Sequence, residues 1–88
     1  MVYLDVVVKE GRKYRLFRPD VESEELFWHH DEYDRVVTIM SGNGWKFQKD
    51  DELPTELKEG DTIFIPNHQY HRLLKGRDNL VLRIIENK

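Results

Sequence analysis

Short apolar segments alternate with polar turns along the whole chain, and this pattern predicts an all-β protein. Strands are predicted at residues 2–8, 14–18, 25–29, 35–40, 45–48, 56–58, 62–65, 70–74 and 80–85. Many short β-branched and aromatic segments between turn signals are typical of a sandwich or barrel. The chain contains no alanine, which also favours strands over helices.

The segment 35–40 is apolar on both faces of its predicted strand. Val37 and Ile39 alternate with Val36 and Met40. A strand that is apolar on both sides is typical of one covered on both faces. We therefore expect a central strand between two layers.

The length of 88 residues predicts one domain spanning residues 1–88. A domain of this size buries only a little over about 60% of the surface that its unfolded chain exposes. Pairing of sheets between two copies would add buried area, and residues 2–8 have apolar side chains to contribute. A homodimer is the expected state.

Charge and cysteine content exclude several classes of protein. The 14 basic and 17 acidic residues give a net charge of −3 without a long run of either sign, which argues against a nucleic-acid partner. With no cysteine, disulfides and thiolate metal sites are excluded. The apolar stretches are far shorter than the roughly 18 residues that span a bilayer, and no secretory leader pattern opens the sequence. We expect a cytoplasmic protein without a membrane partner.

One segment, GDTIFIPNHQYH, has an informative spacing of glycine, proline and histidine. Gly60, Pro66 and His71 match the pattern G-x5-P-x-G-x2-H-x3-N, with His68 in place of the glycine and Lys75 in place of the asparagine. This spacing resembles the second motif of the cupin superfamily. The resemblance implies a cupin jelly roll, a double-stranded β-helix barrel with its ligands at the mouth.

Residues 28–44 resemble the first cupin motif, H-x-H-x(3,4)-E-x6-G, in altered form. Counting back six residues from Gly42 reaches Arg35, where the resemblance implies an acidic ligand. The variable spacer leaves two registers for the preceding pair. One register gives His29 and Asp31, and the other gives Trp28 and His30. Only the first provides two side chains that can bind a metal.

All four histidines of the chain lie in the two motif regions, which a cupin fold brings together. In the favoured register, His29, Asp31 and His71 form a two-histidine, one-carboxylate set for a divalent ion such as Fe, Mn, Ni or Zn. Period-two spacing places the first two on the same face of an extended segment. His30 and His68 are alternative ligands, His68 being favoured as a polar loop residue. The competing interpretation is a histidine-rich surface loop.

Two further residues are candidates for ligand binding. Arg35 either pairs with Asp34, Asp31 or Glu32, or faces inward and binds an anionic group. A guanidinium holds carboxylates and phosphates bidentately. Trp28, adjacent to the presumed ligands, is a candidate wall against which a planar or sugar-like molecule stacks.

The sequence therefore predicts a small cupin domain that binds a divalent metal and a small polar, anionic molecule. It leaves open whether the protein is an enzyme. In an enzyme, His30 or His68 would be the nearest proton-transfer candidate. The alternative is a non-catalytic ligand-binding or dimerisation module whose metal site was eroded by the change to Arg35.

Overall fold

The computed structural model describes residues 3–88 and consists of two antiparallel sheets. The strands are β1 (Leu4–Lys9), β2 (Arg12–Phe17), β3 (Asp34–Ser41), β4 (Lys46–Lys49), β5 (Thr55–Glu56), β6 (Thr62–Ile65), β7 (His71–Leu74) and β8 (Leu80–Asn87). The larger sheet has the order β1-β2-β8-β3-β6 and the smaller one β5-β4-β7. The all-β prediction is confirmed. Val2, the predicted start of the first strand, lies outside the described residues.

The predicted strand at 25–29 is wrong, because a single 3-10 turn, Glu24–Leu26, replaces most of it. The hydroxyl of Ser23 accepts a hydrogen bond from the backbone N–H of Glu25 at 3.1 Å and so caps the turn. Only His29 pairs as in a strand, in an isolated bridge with His71. Between residues 3 and 88, no helix is long and apolar enough to span a membrane.

The core lies between the two sheets. It consists of buried apolar side chains from both of them: Phe17, Val37, Ile39, Trp45, Phe47, Leu57, Ile65, Leu73, Leu80, Leu82 and Ile84. Trp45 is fully enclosed, and its indole N–H donates to the carbonyl of Asp78 at 2.7 Å. A Cβ on Gly76 would collide with the ring and the backbone nitrogen of Trp45, so glycine is required for this close approach.

The outer face of the large sheet carries apolar side chains that no second layer of residues 3–88 covers. On β3, Val37 and Ile39 point into the core, whereas Val36 and Met40 are 37% and 39% exposed. The expectation that this strand is covered on both faces is therefore wrong. Strand pairing aligns Val36 with Phe64, which is also exposed, so apolar side chains continue across the outer face.

Strand register gives the inner space two different ends. At one end Phe17 pairs with Leu80, and at the other Arg35 pairs with Glu86. Along β4, Lys46 pairs with Leu74 and Lys49 with His71. We call the first the apolar end, which consists of Phe17, Ile39, Trp45 and Leu80. We call the second the charged end, which consists of Glu25, His29, Asp31, Arg35, His71 and Glu86.

Candidate metal centre

The imidazoles of His29 and His71 lie side by side at the charged end. Their backbones exchange two hydrogen bonds, with N···O distances of 3.1 and 2.9 Å. Residues paired in this way present their side chains on the same face of the sheet. The ring centroids are 4.3 Å apart, and the side chain of His71 is buried. The bridge therefore brings together residues from the two motif regions.

Backbone carbonyls fix the orientation of both imidazoles. Nδ1 of His29 lies 2.8 Å from the carbonyl oxygen of Phe27, and Nδ1 of His71 lies 2.8 Å from that of Gln69. A carbonyl oxygen only accepts, so each Nδ1 bears a proton and donates it. In the neutral form of each ring, Nε2 then has a free lone pair. This is the arrangement in which histidine binds a metal.

Asp31 completes the predicted ligand set. One Oδ atom of its carboxylate lies 3.2 Å from Nε2 of His71. One ligand atom from each of His29, Asp31 and His71 lies within 4.8 Å of the other two. The structure thus places the three residues together in the arrangement that the favoured register predicts. Two histidines and one carboxylate form a donor set typical of divalent transition metals.

Two atoms of this set lack hydrogen-bond partners. Nε2 of His29 and Oδ2 of Asp31 are buried, and nothing in residues 3–88 meets them in hydrogen-bond geometry. Oε2 of Glu25 is only 2.7 Å from Nε2 of His29, but this is an ion contact without the alignment of a hydrogen bond. Oδ2 of Asp31 likewise has ion contacts only, with Nε2 of His71 at 3.2 Å and Nη1 of Arg35 at 3.3 Å. Buried polar atoms usually have an aligned hydrogen-bond partner. A cation between them would satisfy both atoms, so the site fits a metal ion.

Arg35 is held by two carboxylates. Its Nη1 lies 3.3 Å from Oδ2 of Asp31, and its Nε and Nη2 lie 3.0 and 2.9 Å from Oε2 of Glu86. The pairing with Asp31 is among the sequence expectations, whereas that with Glu86 depends on the register of β3 and β8. An incoming anion would compete with both carboxylates. Binding of an anion by Arg35 stays a prediction.

A buried arginine, Arg15, extends the ion pairs to β1 and the 3-10 turn. Nε and Nη2 of Arg15 donate to the two carboxylate oxygens of Asp5 at 2.7 and 2.9 Å, and Nη1 donates to Glu25 at 3.3 Å. Lys13 lies 3.8 Å from Asp5 and 3.7 Å from Glu86. The contacts close into what we call the charged ring: Asp5, Lys13, Arg15, Glu25, His29, His71, Asp31, Arg35 and Glu86.

Sequence reasoning missed five members of the charged ring, namely Asp5, Lys13, Arg15, Glu25 and Glu86. One signal was available in β2. Lys13, Arg15 and Phe17 follow one another at intervals of two residues, so all three share the inward face of the strand. Two cations in phase with a core phenylalanine indicate buried carboxylates elsewhere in the chain.

Contacts within the ring shift the pKa values of several members. Burial acts to raise the pKa of the Glu25 carboxyl, but contacts with His29 and Arg15 outweigh it and lower that pKa. Burial acts to lower the pKa of His29, but Glu25 outweighs it and raises that pKa. For Asp31, burial is outweighed by His71 and Arg35, which lower its pKa. A metal ion binds deprotonated ligands, so it would compete with protons for these groups.

A narrow cavity of about 30 Å³ opens beside the histidines. Glu25, His29, Arg35 and His71 line its polar end, and the rest of the wall is apolar: Val37, Ile39, Phe47, Leu57, Ile63, Ile65, Leu73, Leu82 and Ile84. A cavity needs about 10–15 Å³ of such volume to hold one water molecule. This cavity therefore has room for a group of a few atoms.

The other predicted site residues lie on the outside of the motif segment. Because the backbone is extended there, Trp28 and His30 alternate with His29 and Asp31. His30 contacts the rings of Tyr70 and His68, with centroids 4.9 and 5.5 Å away. Trp28 is 42% exposed, and the guanidinium of Arg72 lies 4.7 Å above its ring. The structure does not bring these residues into the His29, Asp31 and His71 group.

His68 keeps the backbone conformation that the motif assigns to glycine. Its φ is 65°, in the left-handed region that side chains disfavour. Its N–H donates to the carbonyl of Asp31 at 2.8 Å. His68 therefore stands at the glycine position of the motif with its imidazole exposed. The backbone of its loop contacts the first-motif segment through Asp31.

Comparison with known structures identifies the architecture. A cupin domain from Bordetella pertussis Tohama I matches with a TM-score of 0.69 and 16% identity, over 98% of this chain and 94% of its own. A cupin-2 domain protein from Shewanella frigidimarina NCIMB 400 gives 0.66 and 19%, over 98% and 79%. A DMSP lyase from Ruegeria pomeroyi DSS-3 gives 0.74 and 12%, over 98% of this chain and 47% of its own.

The likeness extends over nearly the whole chain at low sequence identity. No family model and no curated sequence matches the chain. The structural matches therefore establish the fold alone. This chain has the cupin jelly-roll fold, as the Gly60, Pro66 and His71 spacing predicts.

Proposed function

We propose that this cupin-fold domain binds one divalent metal ion through His29, Asp31 and His71. The observation that supports this most directly is that one ligand atom from each residue lies within 4.8 Å of the other two. His29 and Asp31 each also have a buried side-chain atom without a hydrogen-bond partner in residues 3–88. Fe²⁺, Mn²⁺, Ni²⁺ and Zn²⁺ all suit imidazole and carboxylate ligands. When bound, such an ion supplies Lewis acidity and an open position for a further ligand.

The charge of the ring supports a small anion as that further ligand. With neutral histidines, the ring has four carboxylates and three basic side chains, which leaves one negative charge. A divalent ion converts this to one positive charge, and a monoanion would neutralise it. Because the cavity is only about 30 Å³, we propose a ligand of formate size rather than a sugar.

Metal titration tests the proposal. We expect calorimetry to show about one Zn²⁺ or Co²⁺ per chain, and Asp31→Asn to weaken binding at least about tenfold, because removal of a ligand costs at least as much as removal of a supporting residue. His30→Ala is the matched control and should leave affinity unchanged. No binding by the wild type at micromolar metal contradicts the proposal. If His30→Ala abolishes binding and Asp31→Asn does not, the register with Trp28 and His30 is correct.

The second candidate function is dimerisation through the outer face of the large sheet. Leu4, Val6, Val36, Met40 and Phe64 are all exposed there, between 37% and 58%. Exposed apolar side chains gathered on one face are typical of an interaction surface. We expect sedimentation at micromolar concentration to give the mass of two chains, and Phe64→Lys to give that of one. A wild type of single-chain mass rules this candidate out.

A further inference from the structure

Glu25 is aimed at the candidate metal site from a direction that the motifs do not indicate. Its side chain extends from the 3-10 turn, four residues before His29, and is only 16% accessible. Oε2 lies 2.7 Å from Nε2 of His29. With metal bonds of about 2.1 Å at right angles, neighbouring ligand atoms are about 3 Å apart. The separation is therefore close to that of two ligands of one ion.

The nitrogen that Glu25 contacts distinguishes a ligand from a supporting residue. A carboxylate that only orients a metal-bound histidine contacts the nitrogen that faces away from the metal. In His29 that nitrogen is Nδ1, and the carbonyl of Phe27 already accepts its proton. Glu25 instead faces Nε2, the nitrogen whose lone pair is free for a metal in the neutral ring.

Arg15 fixes the orientation of the Glu25 carboxylate. It contacts Oε1 at 3.3 Å and leaves Oε2 directed at the site. Arg15 is itself 4% exposed and held in a two-point contact by Asp5. Its guanidinium therefore has little freedom to move, and the free oxygen of Glu25 stays in place.

We propose that Glu25 is the fourth protein ligand of the metal ion, binding through Oε2, and that Arg15 is the residue that positions it. This inference rests on the proposed metal site of His29, Asp31 and His71. It gives the site two carboxylates and two histidines, and it supplies an acidic ligand in a chain that has Arg35 at the position where the motif implies one.

The test compares Glu25→Gln and Glu25→Asp in the full chain, titrated with Co²⁺ and followed by calorimetry and visible absorption. Glu25→Gln should weaken Co²⁺ binding at least about tenfold and shift the absorption bands, because the ligand set changes. Glu25→Asp keeps the charge but withdraws the oxygen by one methylene, so it should not restore either property. Glu24→Gln, an exposed carboxylate of the same turn, is the matched control.

The outcomes separate this inference from the proposal on which it rests. If the wild type binds no Co²⁺, the proposed metal site itself is ruled out. If the wild type binds Co²⁺ and Glu25→Gln binds it with equal or higher affinity, Glu25 is not a ligand and only pairs with His29. Full restoration by Glu25→Asp shows that charge alone matters. Circular dichroism verifies folding, and should Glu25→Gln not fold, Glu25→Asp decides by its spectrum.

Discussion

Trp45, Ile39 and Leu80 at the apolar end are 0–1% exposed, whereas the six residues of the charged end are all ionisable and belong to the charged ring. Burial of apolar surface contributes stability directly, at about 25 cal/mol per Å². Burial of paired charges contributes little, because desolvation cancels most of their attraction. The difference teaches that the apolar end maintains the fold, while the charged end is retained at little gain in stability and is available for binding.

The largest expected effect lies at the apolar end. Trp45→Ala should lower the free energy of unfolding by about 3–5 kcal/mol, because it removes a large buried ring and leaves a cavity. Chemical denaturation measures this, with Leu53→Ala, at an 84% exposed position, as the control. The Zn²⁺ affinity of the folded fraction should not change. A loss of affinity in this variant would show that the two ends are not independent.

A smaller effect of mixed sign is expected at the charged end. Arg35→Met leaves Asp31 and Glu86 without their shared cation, which should cost about 1–3 kcal/mol of stability, less than for a fully buried pair because some water reaches the site. Zn²⁺ affinity should rise at least about tenfold, since a unit charge a few Å from the ion exceeds about 1.4 kcal/mol at an effective dielectric of 20. Arg35→Lys is the control, and an unchanged affinity contradicts the prediction.

The smallest effect is a pH dependence of the metal-free protein. The lowered pKa values of Asp5, Glu25, Asp31 and Glu86 stabilise the fold above about pH 4.5, and this is lost as pH falls through their folded values. The raised pKa of His29 stabilises the fold below about pH 6.5, and this is lost as pH rises through its folded value. We expect the melting temperature to be highest between these limits.

Glu25→Gln is the control for the alkaline side of that profile. It removes the group that raises the pKa of His29, so the decline above about pH 6.5 should shrink while the acid decline persists. A wild-type melting temperature that still rises between pH 6.5 and 8 would contradict the assignment. Trp45→Ala should lower the whole profile without changing its shape, because the apolar end contains no group that titrates in this range.

The fold was predictable because its determinants are local. Gly60, Pro66 and His71 mark a strand and the turn that follows it, and the alternation in β3 separates Val37 and Ile39 from Val36. The same alternation did not show which face is covered. Covering depends on a second layer, and no layer lies over Val36 in residues 3–88, although its side chain is as apolar as those in the core.

The candidate site was predictable only in part. The spacing of His29 and Asp31 and the motif position of His71 indicated a group that the structure brings together. Glu25 was hidden in a segment that reads as a strand, because the cap by Ser23 depends on a conformation that propensity alone does not specify. Glu86 reaches Arg35 through the pairing of β3 with β8, and such register between distant strands is not encoded in any short segment.

The bridge between His29 and His71 joins two segments that are far apart in sequence, with β3 to β6 between them. An ion bound by both side chains would cross-link the chain at this point, in a sequence without cysteine. Closing a long loop restricts the unfolded chain, as a disulfide does. The amide protons of both histidines, which already form the bridge, would then exchange with solvent only when the cross-link opens.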